Sequence, residues 1–374
     1  MTTAPWEPRA ESMVRQSLEH RQLVTVQPVD QDPFSLDVED LEISFSEDWA
    51  PHVEVSLSAA MPQDQAQLDA LDPRAGCRLL VSAGYVYPDR TPDIHQLADV
   101  ALDTREVTRP DNQLKLTAVS AEVQLQDYRS FWNPRVIPAT GLPAAIRAVL
   151  AFGLQPKTAK VNATVAENYG AAHLAGIEAP LGTTYWDVAE DAAARTDAWV
   201  YCDGANTWQV TTKPQLAGKP AHALTVGQGG TLISTNTTLS RQDWANAVIL
   251  TYDWTDANNV RRTVYGRALA SSGAYATSAV GFRTHQENRE IPVTQAQANR
   301  AAEGVLRNLI SRGRGYTLDA VAAYWLRPGM TVSVQLPTGE PELHLVRSVR
   351  FRPGTGTMTL TTRQPQNVTI TTGE

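Results

Sequence analysis

The sequence predicts a mainly β fold with an α+β insertion, in which two small β-barrel domains flank an α/β domain. First, short segments of alternating apolar and polar residues, separated by turn residues, fill positions 33–130 and return after 216. Second, two helical periodicities and a hairpin lie between them, within 131–215. Third, 23 Pro and 23 Gly are scattered along 374 residues, which suits a strand-rich chain with many turns.

Composition excludes several classes of protein. An apolar content of 42% is typical of a globular chain rather than a disordered one. No apolar run approaches the roughly 18 residues of a membrane-spanning helix, and the first residues lack the pattern of a secretory signal. A net charge of -8 argues against a nucleic-acid-binding protein. Cys77 and Cys202 are too few for a disulfide scaffold or a closed zinc site, so we expect buried free thiols.

Charge is distributed unevenly along the chain. Residues 261–374 contain 14 Arg, no Lys and 7 acidic residues, whereas residues 1–260 carry 18 basic and 33 acidic residues. One interpretation is a solvated surface with no further role. The other is a contact in which the acidic part of one subunit meets the basic part of a neighbour, since complementary charge sets the orientation of subunits.

Residues 1–32 are predicted to form an N-terminal arm. Prolines frame a short polar stretch, 11–23, that could be helical. Such an arm either stays disordered or adds itself to a neighbouring subunit, and the sequence leaves both possibilities open.

Residues 33–130 are predicted to form the first barrel. Val53, Val55 and Leu57 alternate with polar residues and share one strand face. Strands at this spacing, with no long helix between them, are typical of a small barrel or sandwich. The strand candidates are residues 34–38, 41–45, 53–57, 78–85, 100–107 and 113–126.

Residues 131–215 are predicted to form the α/β domain, which has two helices. The first follows Thr140, carries Pro143 in its first turn, where the missing N–H costs nothing, and ends near Gly153. The second begins after Thr184, a typical N-cap residue, with Asp187 three positions later. The period then changes to two, and a turn at 203–204 separates two strands of a hairpin.

Residues 216–374 are predicted to form the second barrel, interrupted by one helix at about 294–312. Thr294 and Gln297 are spaced as a capping box, and Gly313 ends the helix. The strand candidates of this part are residues 246–252, 260–265, 316–323, 330–336, 344–351 and 358–362.

The motifs of known chemistry are absent from the sequence. The seven His show no metal-ligand spacing, and no nucleophile elbow or phosphate-binding loop occurs. Glu342 and His344 would share a strand face, which we interpret as a surface or cross-strand pair. No context singles out the carboxylate pair of a lysozyme. We therefore predict no catalytic residue, no cofactor and no metal.

Nine tryptophans raise the question of sugar binding, because aromatic faces stack on sugar rings. Most of them lie in apolar or alternating runs, where core or subunit-interface packing is the better interpretation. Trp6 and Trp49 lie in polar surroundings, so they are the candidates for contact with a partner.

The order of these segments resembles the hub proteins of phage tails and baseplates. That group includes the late-control protein D family and many minor tail proteins of actinobacterial phages. The resemblance covers most of residues 33–365 but not the N-terminal arm. It is carried by the following pieces: Gly182-Thr183-Thr184, Trp186-Asp187, the run 199–204 (WVYCDG), Asp72-Pro73, the strand 77–84, LQDYR at 125–129, RPGMTVSVQLP at 327–337 and the hairpin 344–365.

The resemblance implies a structural role without catalysis. Hubs of this type form homotrimers, in which the two barrels of each subunit make a pseudo-six-fold ring between the tail tube and the tip or spike. The implied partners are a second and third copy, a tube or distal tail protein, a tip, spike or tape-measure protein, and DNA in passage. The implied location is the virion tail, assembled in the bacterial cytoplasm. Arg347, Arg350 and Arg352 would lie at an interface or face the lumen.

Two other classes of function stay open. One is a receptor- or glycan-binding tail protein, in which Trp6 or Trp49 would contact the ligand. The other is a cell-wall-degrading tail enzyme, whose activity would have to lie in the α/β part, because little chain follows the second barrel.

Overall fold

The protein was analysed as a computed structural model. The structure describes residues 6–48, 50–131, 133, 135–138, 140–153, 165–168, 173–174, 176–196, 198–239, 242, 244–256, 259–289, 292–336, 340–364 and 368–373. Trp49, one of the two tryptophans predicted to contact a partner, lies outside these residues.

Strands dominate the chain. The strands are β1 (Glu19–Gln27), β2 (Phe34–Leu36), β3 (Val38–Ser46), β4 (Val53–Ala60), β5 (Arg78–Val86), β6 (Pro92–Thr108), β7 (Gln113–Val119), β8 (Arg135–Ile137), β9 (Thr140–Gly141), β10 (Val165–Asn168), β11 (His173–Leu174), β12 (Ile177–Ala179), β13 (Ala198–Cys202), β14 (Trp208–Thr212), β15 (His222–Thr225), β16 (Leu232–Leu239), β17 (Ala247–Thr255), β18 (Arg261–Ala270), β19 (Thr284–Arg289), β20 (Arg314–Val321), β21 (Thr331–Gln335), β22 (Glu342–Arg352), β23 (Thr357–Arg363) and β24 (Ile370–Thr372). The helices are α1 (Ala10–Met13), α2 (Gln65–Ala70), α3 (Glu122–Asp127), α4 (Leu142–Gly153), α5 (Tyr185–Arg195), α6 (Thr277–Val280) and α7 (Gln295–Ser311).

One long sheet runs through both regions that were predicted to be barrels. Its strand order is β16-β20-β23-β22-β3-β4-β7-β6-β5-β1-β2, and β21 and β15 join it beside β22. The two halves meet where β22 pairs antiparallel with β3, with Val349 opposite Phe45. A single apolar core, which contains Val55, Leu116, Leu318 and Leu360, lies behind both halves. The mainly β fold class with α-helical insertions is therefore confirmed.

The N-terminal arm differs from the prediction. Helix α1 is short, and β1 pairs with β5 over its whole length, from Glu19 opposite Val86 to Gln27 opposite Arg78. Val24 and Val26 point into the shared core and are fully buried. Burial of this alternating apolar pair explains why the segment joins the sheet of its own chain.

The α/β domain matches the prediction in its helices and hairpin. Helix α5 begins after Thr184, whose side-chain oxygen accepts a hydrogen bond from the Asp187 N–H. The hairpin strands β13 and β14 pair antiparallel, and β10 adds a parallel strand beside β14. Helices α4 and α5 bury their apolar faces in a separate core with Trp208 and Val210.

The predicted strand over 113–126 is wrong in its second half. Strand β7 ends at Val119, and α3 follows over Glu122–Asp127. The Glu122 carboxylate is buried and accepts hydrogen bonds from the backbone N–H groups of Cys202 (2.7 Å) and His52 (3.4 Å). These long-range contacts draw the chain out of the sheet and toward the α/β domain.

The C-terminal part contributes to two cores. Strands β15, β16 and β20–β23 belong to the long sheet, whereas β19-β17-β18-β24 form a four-stranded sheet of their own, covered by α7. Helix α7 has the predicted capping box between Thr294 and Gln297. The boundaries 33–130, 131–215 and 216–374 remain a proposal, because the first and last of these segments share one core.

Candidate functional surface: the polar face of the long sheet

The long sheet has one apolar face and one polar face. Along each strand, alternate side chains point into the core and away from it. The outward side chains of eight adjacent strands, β16-β20-β23-β22-β3-β4-β7-β6, form a surface that we call the polar face. Its members are Ser234, Asn236, Thr317, Asp319, Thr357, Thr359, Thr361, Ser348, Arg350, Arg352, Glu42, Ser44, Ser46, Glu54, Ser56, Ser58, Lys115, Thr117, Thr104 and Glu106.

Uncharged side chains form a continuous row across the polar face from β16 to β3. Asn236, Thr317, Thr361, Ser348 and Ser46 lie opposite one another on five successive strands. The Ser348 and Thr361 hydroxyls are hydrogen-bonded at 2.6 Å. Cross-strand hydroxyl pairs of this kind stabilise a sheet modestly, and they give the surface short polar groups without net charge.

The carboxylate of Asp319 is engaged on both sides. It accepts hydrogen bonds from the Ser234 hydroxyl (2.7 Å) and the Thr359 hydroxyl (2.8 Å). These hydrogen bonds lower the pKa of Asp319, the bond from Ser234 contributing most. Neighbouring hydroxyls of the same face therefore stabilise the negative charge of Asp319.

Two of the predicted arginines are neutralised within the face. Arg350 Nε lies 3.0 Å and Arg352 Nε 3.1 Å from the two oxygens of Glu42. Arg350 also donates to the Ser44 hydroxyl at 3.3 Å. One carboxylate on β3 thus serves two arginines on β22.

The third predicted arginine, Arg347, lies at a β-bulge. The register between β22 and β23 shifts between Val346 and Ser348, which interrupts the alternation of faces. Arg347 pairs with Asp48, and Arg312 Nη2 binds the same carboxylate at 2.6 Å. Burial raises the pKa of Asp48, but Arg312 and Arg347 outweigh burial, so that the pKa lies below its usual value.

No protein-family model and no curated protein sequence matches this chain. Similar solved structures do exist. The tail protein from Neisseria meningitidis MC58 superposes with a TM-score of 0.65 at 12% identity, over 92% of this chain and 96% of that one. The 43 kDa tail protein of prophage MuSo2 from Shewanella oneidensis superposes with a TM-score of 0.62 at 11% identity, over 92% and 98%. This chain has the fold of phage tail proteins.

A third similar structure is a VgrG complex. A chain of the Francisella PdpA–VgrG complex superposes with a TM-score of 0.53 at 7% identity, over 95% of this chain and 55% of that one. Identities this low establish the tail-protein fold and nothing finer. At that level the resemblance to tail and baseplate hubs, predicted from the order of segments, is confirmed.

Within the tail-protein fold, the predicted contact residues do not form one cluster. The three arginines lie together at the junction of β22 with β3. Trp6 lies elsewhere, half-buried among the rings of Tyr85 (5.6 Å), His95 (4.6 Å), Tyr324 (6.0 Å) and Trp325 (6.4 Å). Its contacts therefore attach the N-terminal segment to the shared core, and its role toward a partner stays a prediction.

The acidic partners of the arginines were missed by sequence reasoning. Glu42 lies within β3, and Glu47 and Asp48 follow its end, about three hundred positions from Arg350, Arg363 and Arg347, which they bind. Ser and Thr at alternate positions, as at 56 and 58 or 357, 359 and 361, were the available signal for the polar face. At this junction, the acidic and basic parts of the sequence meet within one chain.

A cleft of about 960 Å³ opens elsewhere in the tail-protein fold, between α5, α7 and β19. Its lining mixes both charges, with Glu190 and Glu287 near Arg289, and Trp186 and Trp199 beside them. Burial is the largest influence on the pKa of Glu190, and it raises that pKa. Elsewhere on α5, Arg195 and Asp191 form a buried ion pair at 2.6 Å.

Within the residues that the structure describes, no group of three or more His, Cys, Asp and Glu side chains could hold a metal ion. Nor does any described helix have the length and apolar character to cross a membrane.

Proposed function

We propose that this chain is a structural hub protein of the tail of a phage or phage-like particle. Three copies form a ring that joins the tail tube to the tip or spike. The observation that carries the proposal is the single sheet through both halves of the chain, with a shared core on one side and the polar face on the other.

The arrangement of strands supports a pseudo-six-fold ring. The polar face contains four strands from the second half, β16-β20-β23-β22, and four from the first, β3-β4-β7-β6. Each copy thus contributes two four-stranded units side by side. Three copies contribute six such units, which matches a six-fold tube on one side and a three-fold tip on the other.

The chemistry of the polar face supports a place on the inner wall of that ring. Short hydroxyl side chains predominate, and Arg350 and Arg352 are held by Glu42. A wall of this kind offers few free cations to retain a phosphate backbone. DNA or a tape-measure protein could therefore pass without binding tightly.

The proposed role is geometric rather than catalytic, and the similar structures are tail proteins. Its partners are further copies of the chain, a tube or distal tail protein, and a tip, spike or tape-measure protein. The corresponding location is the virion tail.

The test is the mass of the purified protein by light scattering over a range of concentrations, with negative-stain images of the same peak. We expect a mass three times the 40.8 kDa of the chain and rings with an open centre. A compact monomer at every concentration that binds glycan or cleaves cell wall would contradict the proposal. Loss of glycan binding on changing Trp6 or Trp49 would then favour the receptor-binding alternative.

A further inference from the structure

The cleft of about 960 Å³ lies where three parts of the chain meet. Its lining comes from α5 and β13 of the α/β domain, from β19 and α7 of the four-stranded sheet and its helix, and from Glu47 and Asp48 after β3. Small-molecule sites are clefts of roughly 300–1,000 Å³ and occur preferentially between domains. The cleft therefore has the size and the position of a ligand-binding site.

Two tryptophans line this cleft. Trp186 of α5 and Trp199 of β13 are both only partly buried. The ring of Tyr201 stacks on that of Trp199, with the ring centroids 4.0 Å apart and the planes at 30°. Trp186 packs against the core of the α/β domain. Both indole rings are thus held in place and are still partly accessible, as stacking on a ligand requires.

Small residues leave room beside Trp186. Trp186, Glu190 and Ala194 follow one another at intervals of four on α5, so they lie on one side of the helix. All three line the cleft, and so does Gly304 of α7. A larger side chain at position 194 would therefore fill space that a ligand needs.

Two buried polar atoms at the end of α7 have no partner. Asn308 Oδ1 and Arg312 Nε are buried, and neither is hydrogen-bonded within the part of the chain that the structure describes. Both residues line the cleft and use other polar atoms on the Asp48 carboxylate, to which Arg312 Nη2 lies at 2.6 Å. Leaving buried polar atoms unpaired is costly. A ligand with hydroxyl groups satisfies this acceptor and this donor together, because each hydroxyl both donates and accepts.

The charges in the cleft compensate one another. Six carboxylates and five Lys or Arg side chains line it, and four of the five cations are ion-paired with carboxylates of the same lining. These pairs include Arg363 with Glu47, Arg312 with Asp48, and Arg289 with Glu287. A polyanion needs free cations, and an apolar ligand would leave the buried atoms of Asn308 and Arg312 unpaired. The lining therefore favours an uncharged ligand that carries many hydroxyl groups.

We propose that this cleft binds an uncharged oligosaccharide. The C–H faces of sugar rings stack on Trp186 and Trp199, and sugar hydroxyls form hydrogen bonds with Asn308 Oδ1 and Arg312 Nε. The inference adds a binding site to the proposed hub, and it depends neither on the ring nor on the number of copies in it.

The test is saturation-transfer NMR of the full-length protein with defined tetrasaccharides, because this method detects weak binding. The probes are the tetramers of glucose, mannose, galactose and N-acetylglucosamine, with tetraalanine as the peptide probe. Calorimetry then gives the dissociation constant of the tetramer with the strongest signal. Light scattering of the same sample reports the oligomeric state, which distinguishes a failure of the hub proposal from a failure of this one.

Four variants separate the cleft from other sites. Trp199→Ala removes a stacking surface, and Trp199→Phe keeps a smaller one. Ala194→Phe fills the cleft without removing a group that contacts the ligand. Trp6→Phe is the matched control, because Trp6 is also partly buried but does not line the cleft. Circular dichroism establishes that each variant is folded, and since Trp199→Ala and Ala194→Phe act by different means, either one alone tests the inference.

We expect at least one tetrasaccharide to bind, with a dissociation constant that is raised about tenfold in Trp199→Ala, less in Trp199→Phe and not at all in Trp6→Phe. Ala194→Phe should abolish binding. A trimer that binds no tetrasaccharide would overturn this inference and leave the hub function standing. Saccharide binding that survives both Trp199→Ala and Ala194→Phe would also overturn it, as would binding of tetraalanine alone, which would indicate a peptide site.

Discussion

Arg363 at the end of β23 and Glu47 just after β3 form a doubly hydrogen-bonded ion pair between the two halves of the chain. Arg363 Nε donates to Glu47 Oε2 at 3.0 Å, and Nη2 donates to Oε1 at 2.6 Å. Both side chains are more than nine-tenths buried. This paired geometry is the strongest form of an Arg–carboxylate contact, and it holds the junction at which the long sheet passes from one half to the other.

Removing one partner of this pair should destabilise the protein strongly. Arg363→Met leaves the Glu47 carboxylate buried without its cation, and we expect a loss of about 3 kcal/mol in the free energy of unfolding. Glu47→Leu combined with Arg363→Met removes both charges and should cost less than the single change. Urea unfolding provides the measurement.

Arg350→Met is the matched control, because Arg350 also forms an ion pair with a carboxylate of the first half, Glu42 on β3, but is half exposed. Exposed pairs contribute at most about 1 kcal/mol. Equal losses for Arg350→Met and Arg363→Met would contradict the role assigned to the buried pair.

Elements set by local sequence were predictable, and those set by distant contacts were not. Thr184 and Thr294 mark helix starts that depend on residues three positions away, so both caps appear in the sequence and in the structure. The strand predicted through 126 failed because Glu122 is held by Cys202, eighty positions away. Local alternation alone gave no indication of that contact.

On the polar face, too, features set by local sequence were predictable and those set by distant contacts were not. The arginines at 350 and 352 could be placed on one strand face from their spacing, but their partner Glu42 could not be named. The bulge between Val346 and Ser348 interrupts the alternation of faces beside Arg347, so the face of this residue does not follow from its position in the sequence. Bulges and pairings between strands 300 positions apart leave no periodic signal in a single sequence.

Glu122 should matter as a hydrogen-bond acceptor more than as a charge. Glu122→Ala leaves the N–H groups of Cys202 and His52 buried without an acceptor, and we expect a loss of about 2–3 kcal/mol. Glu122→Gln keeps an oxygen that can accept these hydrogen bonds. Burial is the main influence on the pKa of this carboxyl and raises it, which shows that the charged form is disfavoured at this position. We therefore expect a smaller loss for Gln than for Ala in urea unfolding at pH 7, and the reverse order would contradict this role.

Cys77 and Cys202 should be unreactive in the folded protein. Both are free and buried. Burial raises the pKa of Cys77 to about 11 and that of Cys202 well above its usual value, so little thiolate is present at pH 8. A thiol-specific colour reagent should report two thiols per chain in urea and close to none without it. Rapid reaction of either thiol in the native protein would contradict the burial described here.

Acid should lower the free energy of unfolding because two buried histidines resist protonation in the folded state. This loss should begin at a higher pH than the one at which carboxylates titrate. Burial lowers the pKa of His222 to about 4 and that of His52 to about 3. In the unfolded chain both groups bind a proton near pH 6.5, so between pH 6.5 and pH 5 the unfolded state holds more protons than the folded state. Stability is therefore complete above pH 6.5 and falls with pH, by about 2 kcal/mol for each histidine over this window.

The variant that tests this is His222→Phe, because neither ring nitrogen of His222 has a hydrogen-bond partner and the ring packs against Trp325. Its free energy of unfolding should depend on pH less steeply than that of the unmodified protein, by about 1.4 kcal/mol per pH unit between pH 6 and pH 5. Trp325→Phe disturbs the same packing without removing a titrating group. Its free energy of unfolding should therefore be lower at every pH but depend on pH as steeply as that of the unmodified protein. Parallel curves for His222→Phe and the unmodified protein would show that His222 is protonated in the folded state as readily as in the unfolded one.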